Sequence, residues 1–267
     1  MSELSSLLTE LRRITLDAGK AILDIYESDA VKVSQKDDKS PVTEADTKAE
    51  AVILASLARA FPDIAVISEE AVAGGKTPEP HEKFFLVDPL DGTKEFIKRN
   101  GEFTVNIALI EKRRAVAGVV FAPAIGKLYL GGTEGAFAQD ADPAEIRAKG
   151  ASAKLSPPRK VFARTPPPSQ VAVASRSHRD PQTDEFLAAH KVTEIVSAGS
   201  SLKFCLVASG QADLYPRHGT TMEWDTAAGQ AVLEAAGGSV SEVSGSPFRY
   251  GKFDQGLKNP HFIARGR

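Results

Sequence analysis

Five short runs of β-branched and aromatic residues in the first half of the chain constrain its fold more than any other feature. They are separated by turn residues and lie at 64–67, 84–87, 104–110, 115–121 and 127–130. Runs of this length and composition are typical of β-strands. Because turn residues join consecutive runs, we predict a mostly antiparallel sheet in this part of the chain.

Two helices are predicted ahead of this sheet. Apolar residues recur at three- and four-residue steps over 4–26, which is the spacing of an amphipathic helix. Thr43 is a candidate N-cap for a second helix, which would carry Ala49 and Leu57 on its apolar face and end before Pro62. The sequence therefore predicts a helical N-terminal region followed by the sheet.

The second half of the chain has a different pattern. Beyond a proline-rich stretch at 157–168, strand-like and helix-like segments alternate, which predicts a smaller α/β unit. The segment 139–168, which is poor in large apolar residues and includes these prolines, is the best candidate for a domain boundary or a surface excursion. We therefore expect an N-terminal α+β domain at 1–150 and a C-terminal α/β domain at 151–267.

Composition narrows the class of protein. The chain has 33 Lys and Arg against 35 Asp and Glu, so a net charge of -2 provides no basic field for a nucleic-acid polymer. No run approaches the roughly 18–20 apolar residues of a membrane-spanning helix, and the N-terminus lacks a secretory pattern. We expect a cytoplasmic protein, either a monomer or a homodimer, with peripheral contact at the inner membrane as an alternative location.

Soft metal sites are disfavoured by the same composition. The single cysteine, Cys205, lies in an apolar run and is expected to be a buried core thiol. One cysteine cannot form an internal disulfide or hold an iron–sulfur cluster. The five histidines are scattered without the spacing of metal ligands, which disfavours a zinc hydrolase.

Carboxylates follow two of the predicted strands. Glu69 and Glu70 come directly after one strand, and the segment 88–93, Asp-Pro-Leu-Asp-Gly-Thr, comes directly after the next. Proline stiffens and glycine tightens a turn here, so both aspartates can face one point. Two carboxylates held that close repel each other unless a cation lies between them. An all-oxygen donor set, to which the Leu90 carbonyl could contribute, favours Mg²⁺ or Mn²⁺.

Each of these signals also has a plain structural interpretation. Asp88 could cap a turn, and Asp91 with the following glycine could form an ordinary turn. Glu69 could belong to a solvated charged pair, and Asp46 could complement a helix dipole. Asp225 could be the N-cap of a helix. Only the combination of these residues favours a metal site.

In these residues the sequence resembles the inositol monophosphatase superfamily of metal-dependent, lithium-sensitive phosphatases. The shared pattern is Glu69-Glu70, then the segment 88–93, then Trp224-Asp225 followed by small residues. Order, spacing and total length agree from about residue 4 to about residue 265. The resemblance implies an α/β fold, an alternating α/β/α/β/α sandwich of the inositol monophosphatase and fructose-1,6-bisphosphatase type, and hydrolysis of a phosphomonoester.

The resemblance also implies roles for individual residues. Two or three Mg²⁺ ions, with Mn²⁺ as an alternative, would be held by Glu69, Asp88, the Leu90 carbonyl, Asp91 and Asp225. Thr93, together with Glu69, would orient the attacking water. Asp46 would act through water near a third metal, or as a base. The backbone N–H groups of Gly92 and Thr93 would face the phosphate.

Two cationic residues in the second half bear on the substrate. Inositol monophosphatases usually have a small or apolar residue where Lys203 stands, and a glutamate that holds sugar hydroxyls where Arg217 stands. A lysine and an arginine at these positions favour a substrate with a second anionic group. With the segment 91–96, Asp-Gly-Thr-Lys-Glu-Phe, this resembles the bacterial 3′(2′),5′-bisphosphate nucleotidases of the superfamily. Their reaction converts adenosine 3′,5′-bisphosphate to AMP and phosphate in sulfur metabolism, and the sulfated nucleotide is a second candidate substrate.

The expected substrate contacts come from both halves of the chain. They are Glu69, Leu90, Asp91, Gly92, Thr93 and Asp225 around the phosphate, and His178, Ser201, Lys203 and Arg217 around the nucleotide. Lys203 could instead be a solvated helix residue and Arg217 a surface charge. His178 could equally be a loop histidine with no ligand contact.

Two other functions fit the same sequence. One is a phosphatase of the superfamily that acts on an inositol phosphate or on fructose 1,6-bisphosphate. The other is a regulator that binds metal or nucleotide and has lost the chemistry. Every expected metal ligand and Thr93 are present, which disfavours the regulator.

Overall fold

Two mixed sheets, a small two-stranded sheet and eight α-helices make up the described part of the chain. The computed structural model describes residues 4–28, 33–35, 41–76, 79–175, 181–190 and 192–267. The helices are α1 (Ser6–Tyr26), α2 (Glu44–Ala60), α3 (Glu69–Ala73), α4 (Thr93–Ile97), α5 (Pro143–Lys149), α6 (Pro181–Ala189), α7 (Leu202–Ala208) and α8 (Glu223–Ala235). The strands are β1 (Val33–Gln35), β2 (Pro41–Thr43), β3 (Ala65–Ser68), β4 (Lys83–Asp91), β5 (Thr104–Glu111), β6 (Arg114–Ala122), β7 (Lys127–Gly132), β8 (Gly135–Asp140), β9 (Arg159–Val161), β10 (Gln170–Ser175), β11 (Val192–Ala198), β12 (Leu214–Arg217), β13 (Ser239–Glu242) and β14 (Phe262–Arg265).

The first sheet has seven strands in the order β3-β4-β5-β6-β7-β8-β9. Only β3 and β4 run parallel; every later pair is antiparallel. The five predicted strands and their mostly antiparallel pairing are therefore confirmed. β1 and β2 form a separate small hairpin.

The second sheet has five strands in the order β11-β10-β12-β14-β13. β10, β11 and β12 are parallel, whereas β13 and β14 pair antiparallel. Alternating strands and helices in this half of the chain are confirmed. The parallel strands are joined through α6 and α7, as the crossover between parallel strands requires.

Side-chain alternation along the strands produces three hydrophobic layers. One face of the first sheet, including Phe85 and Ile107, packs against α1 and α2. Its opposite face, including Phe84, packs with α7, α8 and the inner face of the second sheet. Leu187 of α6 closes the outer face of the second sheet. The order is helices, sheet, helices, sheet, helix, so the predicted α/β/α/β/α sandwich is confirmed.

Helix α8 lies unusually close to the first sheet. A Cβ atom on Gly118 would come within 2.7 Å of the Ala228 carbonyl oxygen, and one on Gly131 within 2.5 Å of the Val232 Cα. Glycine in the strands and alanine on the helix therefore allow backbone-to-backbone approach. The small residues that follow Trp224 and Asp225 in the sequence are what allow this close packing. The packing holds α8, and with it Asp225 in its first turn, against the sheet.

A local sequence signal marks the start of helix α2. The Thr43 hydroxyl accepts a hydrogen bond from the Ala45 N–H at 3.2 Å, which confirms Thr43 as the N-cap of α2.

Three further predictions concern the chain as a whole. Cys205 is fully buried, as expected. In the described part of the chain no helix is long and apolar enough to cross a membrane. The division into domains at residue 150 stays a prediction; the first sheet itself continues to β9.

Candidate active site

Four carboxylates converge at one edge of the first sheet. Glu69 begins α3 directly after β3, Asp88 and Asp91 lie at the end of β4, and Asp225 is in the first turn of α8. Because β3 and β4 are parallel, their carboxyl ends meet at the same edge. Ligand atoms of Glu69, Asp88 and Asp225 all lie within 4.8 Å of one another.

A bulge in β4 explains why two aspartates three residues apart share this point. Asp88 pairs with Asn106 and Asp91 with Thr104, so two residues of β4 lie opposite a single residue of β5. In a regular strand, residues i and i+3 would point to opposite faces, and the extra residue cancels that alternation. The Leu90 N–H donates to Asp88 Oδ1 at 3.0 Å and closes the turn.

The turn after the bulge needs glycine. Gly92 has a φ of 92° and precedes α4, and this left-handed conformation is strained for residues with a side chain. A Cβ there would also lie 3.3 Å from the Glu102 carbonyl oxygen. The short helix α4 starts directly after Gly92, and Thr93 at its first position lines the same cleft as the carboxylates.

The Thr93 hydroxyl contacts both helix α2 and the end of strand β4. It donates to Asp46 Oδ1 at 3.3 Å and lies 3.5 Å from the Leu90 carbonyl oxygen. Asp46 is itself held by α2, because its Oδ2 accepts from the Thr43 N–H at 2.8 Å and from the Thr43 hydroxyl at 2.7 Å. A buried aspartate fixed by a helix cap thus sets the orientation of the Thr93 hydroxyl.

Burial opposes ionisation of the clustered acids. It raises the pKa of Asp91 to about 6, with Glu69 and Glu95 contributing in the same direction and Lys203 and Ser201 opposing it. Burial also raises the pKa of Asp225 well above its usual range, and the charges of Asp91 and Glu69 add to the increase. Carboxylates that resist ionisation together are stabilised in their charged form by a cation between them.

A polar network behind the cluster fixes Asp91. The Ser201 hydroxyl lies 3.1 Å from Asp91 Oδ2 and 2.8 Å from the Asp225 carbonyl oxygen. Asn106 Nδ2 donates to Ser201 Oγ at 3.0 Å and lies 3.4 Å from Asp91 Oδ2. Ser201 therefore joins β4, β5, α7 and α8 at the point where the acidic residues meet.

Basic residues of the second half form the opposite part of the site. Lys203 of α7 is 5 % exposed and Arg217 of β12 is 8 % exposed. The Lys203 ammonium donates to the Ser200 carbonyl oxygen at 2.6 Å and lies 5.4 Å from the Tyr215 ring. Burial lowers the pKa of Lys203 to about 8, with Arg217 adding to the decrease and Asp91, Glu95 and Glu102 opposing it.

One cleft of about 260 Å³ contains both groups. Its walls include acidic, basic, hydroxyl and aromatic side chains from both halves of the chain. They come from Glu69, Asp88, Leu90, Asp91, Gly92, Thr93, Lys94, Glu95, Ser175, Gly199, Ser200, Lys203, Phe204, Tyr215, Arg217, Thr220, Thr221, Asp225 and Thr226. A clustered anionic end and a cationic wall in a cleft this small suit a compact, multiply charged substrate.

Comparison with known proteins decides the family. The model of the inositol monophosphatase family matches residues 3–264. The chain belongs to this family. The 3′(2′),5′-bisphosphate nucleotidase CysQ of Escherichia coli K12 is 42 % identical over 257 residues, which cover 96 % of this chain and 98 % of that protein. The corresponding protein of Buchnera aphidicola is 38 % identical over 91 % of this chain and 87 % of its own length.

Solved structures agree with this assignment. CysQ from Bacteroides thetaiotaomicron has 40 % sequence identity and a TM-score of 0.75, covering 98 % of this chain and 97 % of that one. An inositol monophosphatase from Anabaena has 24 % identity and a TM-score of 0.73, with 97 % of this chain and 90 % of that one covered. The second likeness supports the fold alone, whereas the first combines the fold with substantial sequence identity.

The inositol monophosphatase family is metal-dependent, and the donor set of this chain fits a hard divalent cation. Glu69, Asp88 and Asp225 offer carboxylate oxygens within one small volume, and the Leu90 carbonyl lies on the same turn. Oxygen donors alone favour Mg²⁺ over zinc or copper. Desolvation raises the pKa of Asp225, and the charges of Asp91 and Glu69 add to the increase, as expected where several acids share a cation site.

The structure brings most predicted site residues together. Those lining the cleft are Glu69, Asp88, Leu90, Asp91, Gly92, Thr93, Lys203, Arg217 and Asp225. Asp46 lies behind Thr93, to which it is hydrogen-bonded. His178 lies outside the described residues, so its expected contact stays a prediction. Lys203 and Arg217 are both buried at the cleft. Lys203 is therefore not a solvated helix residue, and Arg217 is not a surface charge.

Ser201 differs from its expected position. It is 1 % exposed and lies behind the wall of the cleft, where its hydroxyl is bonded to Asp91 and Asp225. Its neighbour Ser200 lines the cleft instead, with a φ of 42°. Within the described structure the Ser200 hydroxyl has no hydrogen-bond partner. A strained serine with an unpaired buried hydroxyl is a better candidate for substrate contact than Ser201.

Several other residues of the cleft were missed by the sequence reasoning. Glu95 is buried on α4 beside Gly92, and Tyr215 lies under the Lys203 ammonium. Thr221 belongs to the loop before α8. Glu95 stands in the segment 91–96, and its place two positions after Thr93 is the signal that could have identified it. The others carry no local signal, because only the packing of the second sheet brings them to the cleft.

Proposed function

We propose that this chain is a Mg²⁺-dependent 3′(2′),5′-bisphosphate nucleotidase that removes the 3′-phosphate of adenosine 3′,5′-bisphosphate to give AMP and phosphate. The observation that carries the proposal is the pair of buried cations, Lys203 and Arg217, which line the same cleft as the carboxylate cluster. A second phosphate group of the substrate would accept charge-assisted hydrogen bonds from both cations, which favours a doubly phosphorylated substrate. The likeness to CysQ proteins over nearly the full length supports the same activity.

The two ends of the cleft suit the two ends of such a substrate. The scissile 3′-phosphate would lie at the carboxylate end, where Glu69, Asp88, Asp91 and Asp225 would hold Mg²⁺ with the Leu90 carbonyl. Bound Mg²⁺ would supply Lewis-acid activation of the phosphoryl group and of the attacking water. The 5′-phosphate would lie against the cationic wall.

Residues of this chain would orient the nucleophile and the nucleotide. Since Asp46 accepts the Thr93 hydrogen, the Thr93 oxygen lone pairs face away from Asp46 and could accept a hydrogen bond from the attacking water. Glu69 would accept a second hydrogen from that water. The Ser200 hydroxyl and the Arg217 guanidinium would donate to the 5′-phosphate. Positioning and charge stabilisation then account for the catalysis, as in other phosphoryl transfers.

A substrate panel tests this function. Phosphate release would be measured for adenosine 3′,5′-bisphosphate, adenosine 3′-monophosphate, inositol 1-phosphate and fructose 1,6-bisphosphate, each with Mg²⁺, with a chelator and with Li⁺. We expect the bisphosphorylated nucleotide to have the highest kcat/KM, and both the chelator and Li⁺ to suppress turnover. Faster turnover of inositol 1-phosphate or fructose 1,6-bisphosphate would overturn the nucleotidase assignment. Equal metal-free activity would overturn the metal site.

A further inference from the structure

The N-terminal turn of α8, which carries Asp225, is fastened to a distant segment of the chain by buried polar groups. Glu223 is fully buried, and its carboxylate accepts from the Gly251 N–H at 2.7 Å and the Lys252 N–H at 2.9 Å. The Lys252 ammonium completes an ion pair with Glu223 at 2.6 Å. The side chain two residues before Asp225 thus has three donors from one loop.

Asn259 makes the second attachment. Its Nδ2 lies 2.6 Å from the Met222 carbonyl oxygen, 3.0 Å from Thr226 Oγ1 and 3.2 Å from Thr221 Oγ1. The Asn259 N–H also donates to the Thr221 carbonyl oxygen at 2.9 Å. One amide therefore contacts the backbone or side chain of three residues that surround Asp225 in sequence.

Lys252 joins the two attachments into one network. Besides Glu223, its ammonium reaches the Arg249 carbonyl oxygen at 2.5 Å and Asn259 Oδ1 at 3.3 Å. It also lies 5.6 Å from the Phe248 ring and 5.5 Å from the Tyr250 ring. An ammonium with anionic, amide and aromatic neighbours on several sides has little freedom to move.

The network acts on Asp225 through the cap of the helix. Asp225 Oδ2 accepts from the Met222 N–H at 2.8 Å, so one carboxylate oxygen is fixed by the residue whose carbonyl Asn259 holds. Any displacement of Met222 changes the direction of the Asp225 carboxylate relative to Glu69 and Asp88. Asp88 and Asp91, by contrast, are positioned by the β4 bulge.

We propose that Glu223, Lys252 and Asn259 form a positioning unit that sets Asp225 in the orientation needed for metal binding. None of the three lines the cleft itself. They act through Met222 and Asp225, and Asn259 also contacts Thr221 and Thr226, which do line the cleft. The inference rests on the proposed function, because it requires a metal at the carboxylate cluster. Groups that orient metal ligands in this way typically change metal affinity about 10- to 100-fold when they are removed.

The test is Mn²⁺ binding by the full chain, measured by titration calorimetry without substrate. Asn259→Leu keeps the approximate size of the side chain and removes the Nδ2 group that contacts Met222, Thr226 and Thr221. We expect the Mn²⁺ Kd to rise about tenfold or more. Gln139→Leu is the matched control, because buried Gln139 of β8 also loses hydrogen bonds, to Arg12 and Ser156, in a strand without site residues. That control should lower the Tm and leave the Mn²⁺ Kd within twofold of the wild-type value.

A second variant covers the case in which Asn259→Leu does not fold. The double substitution Glu223→Gln with Lys252→Met removes both charges of the pair together, which avoids leaving one buried charge unpaired. The double variant should also weaken Mn²⁺ binding. The single variant Lys252→Arg, which keeps the charge, should retain most of the wild-type Mn²⁺ affinity. Wild-type Mn²⁺ affinity in both folded variants would overturn the positioning role. Absence of Mn²⁺ binding by the wild-type chain would instead overturn the proposed function, and this inference with it.

Discussion

The acidic and basic parts of the cleft are placed by different means. Glu69, Asp88, Asp91 and Thr93 lie at or just after the ends of the paired strands β3 and β4, so short backbone segments fix them. The basic side comes from α7 and β12 of the second half, and its cations reach the cleft only because the second sheet packs across α7 and α8. We therefore expect substitutions on the acidic side to reduce the rate of the chemical step. Substitutions on the basic side should instead weaken the discrimination between substrates.

The largest effect is expected for Asp91→Asn. Removing this charge takes one carboxylate from the proposed metal site and should cost about 4 kcal/mol of transition-state stabilisation, or about 1,000-fold in kcat/KM. Asparagine is nearly isosteric and relieves repulsion in the cluster, so the Tm should stay at or above the wild-type value. Steady-state kinetics across Mg²⁺ concentrations and thermal unfolding check both points. Wild-type activity would remove Asp91 from the site.

Thr93→Ala should give the next largest effect. Without the hydroxyl that Asp46 orients, we expect kcat to fall about 100-fold while the KM changes little, because only the attacking water loses its partner. Thr93→Ser is the matched variant, since it keeps the hydroxyl and should retain most of the activity. An equal loss in the serine and alanine variants would indicate a packing role for the threonine methyl group instead.

The sequence predicted some regions of the fold better than others. The periodicity of 4–26 and the β-branched runs gave the N-terminal helices and the central strands, because local patterns dominate there. The segment 139–168 was expected to be a boundary or surface excursion, yet it contains the end of β8 and all of α5 and β9. Its strands and helix are short and poor in large apolar residues, so their stability depends on packing against α1 and on sheet pairing.

Within the site, contiguous motifs were identifiable and scattered contacts were not. The segment 88–93 carries its turn chemistry in its own residues, including the glycine at positive φ. The choice between Ser200 and Ser201 could not be made from sequence, because it depends on a left-handed conformation that serine does not favour. Asn106 and Tyr215 likewise appear as ordinary strand residues until the two halves pack together.

A smaller effect, limited to binding, is expected on the basic side. Arg217→Met should raise the KM for adenosine 3′,5′-bisphosphate about 10- to 100-fold, since charge-assisted hydrogen bonds contribute about 1.5–3 kcal/mol each. Its kcat/KM for adenosine 3′-monophosphate, which lacks the 5′-phosphate, should change less than threefold. Lys98→Met, at an exposed lysine outside the cleft, is the control and should leave both substrates unaffected. Equal losses for both substrates would contradict the assignment of the cationic wall to the 5′-phosphate.

The smallest expected effect is a pH dependence that separates the two ends of the substrate. Burial lowers the pKa of Lys203 to about 8, so its positive charge is present below that pH and is lost as the pH rises through it. For adenosine 3′,5′-bisphosphate, kcat/KM should therefore decline above about pH 8, by at most tenfold per pH unit. Adenosine 3′-monophosphate should show no such decline, because it places no phosphate against Lys203. In Lys203→Met the difference between the two pH profiles should disappear, and its persistence would mean that another group facing the 5′-phosphate titrates. A single enzyme measured with two substrates thus distinguishes a charge that binds the nucleotide from one that takes part in the chemistry.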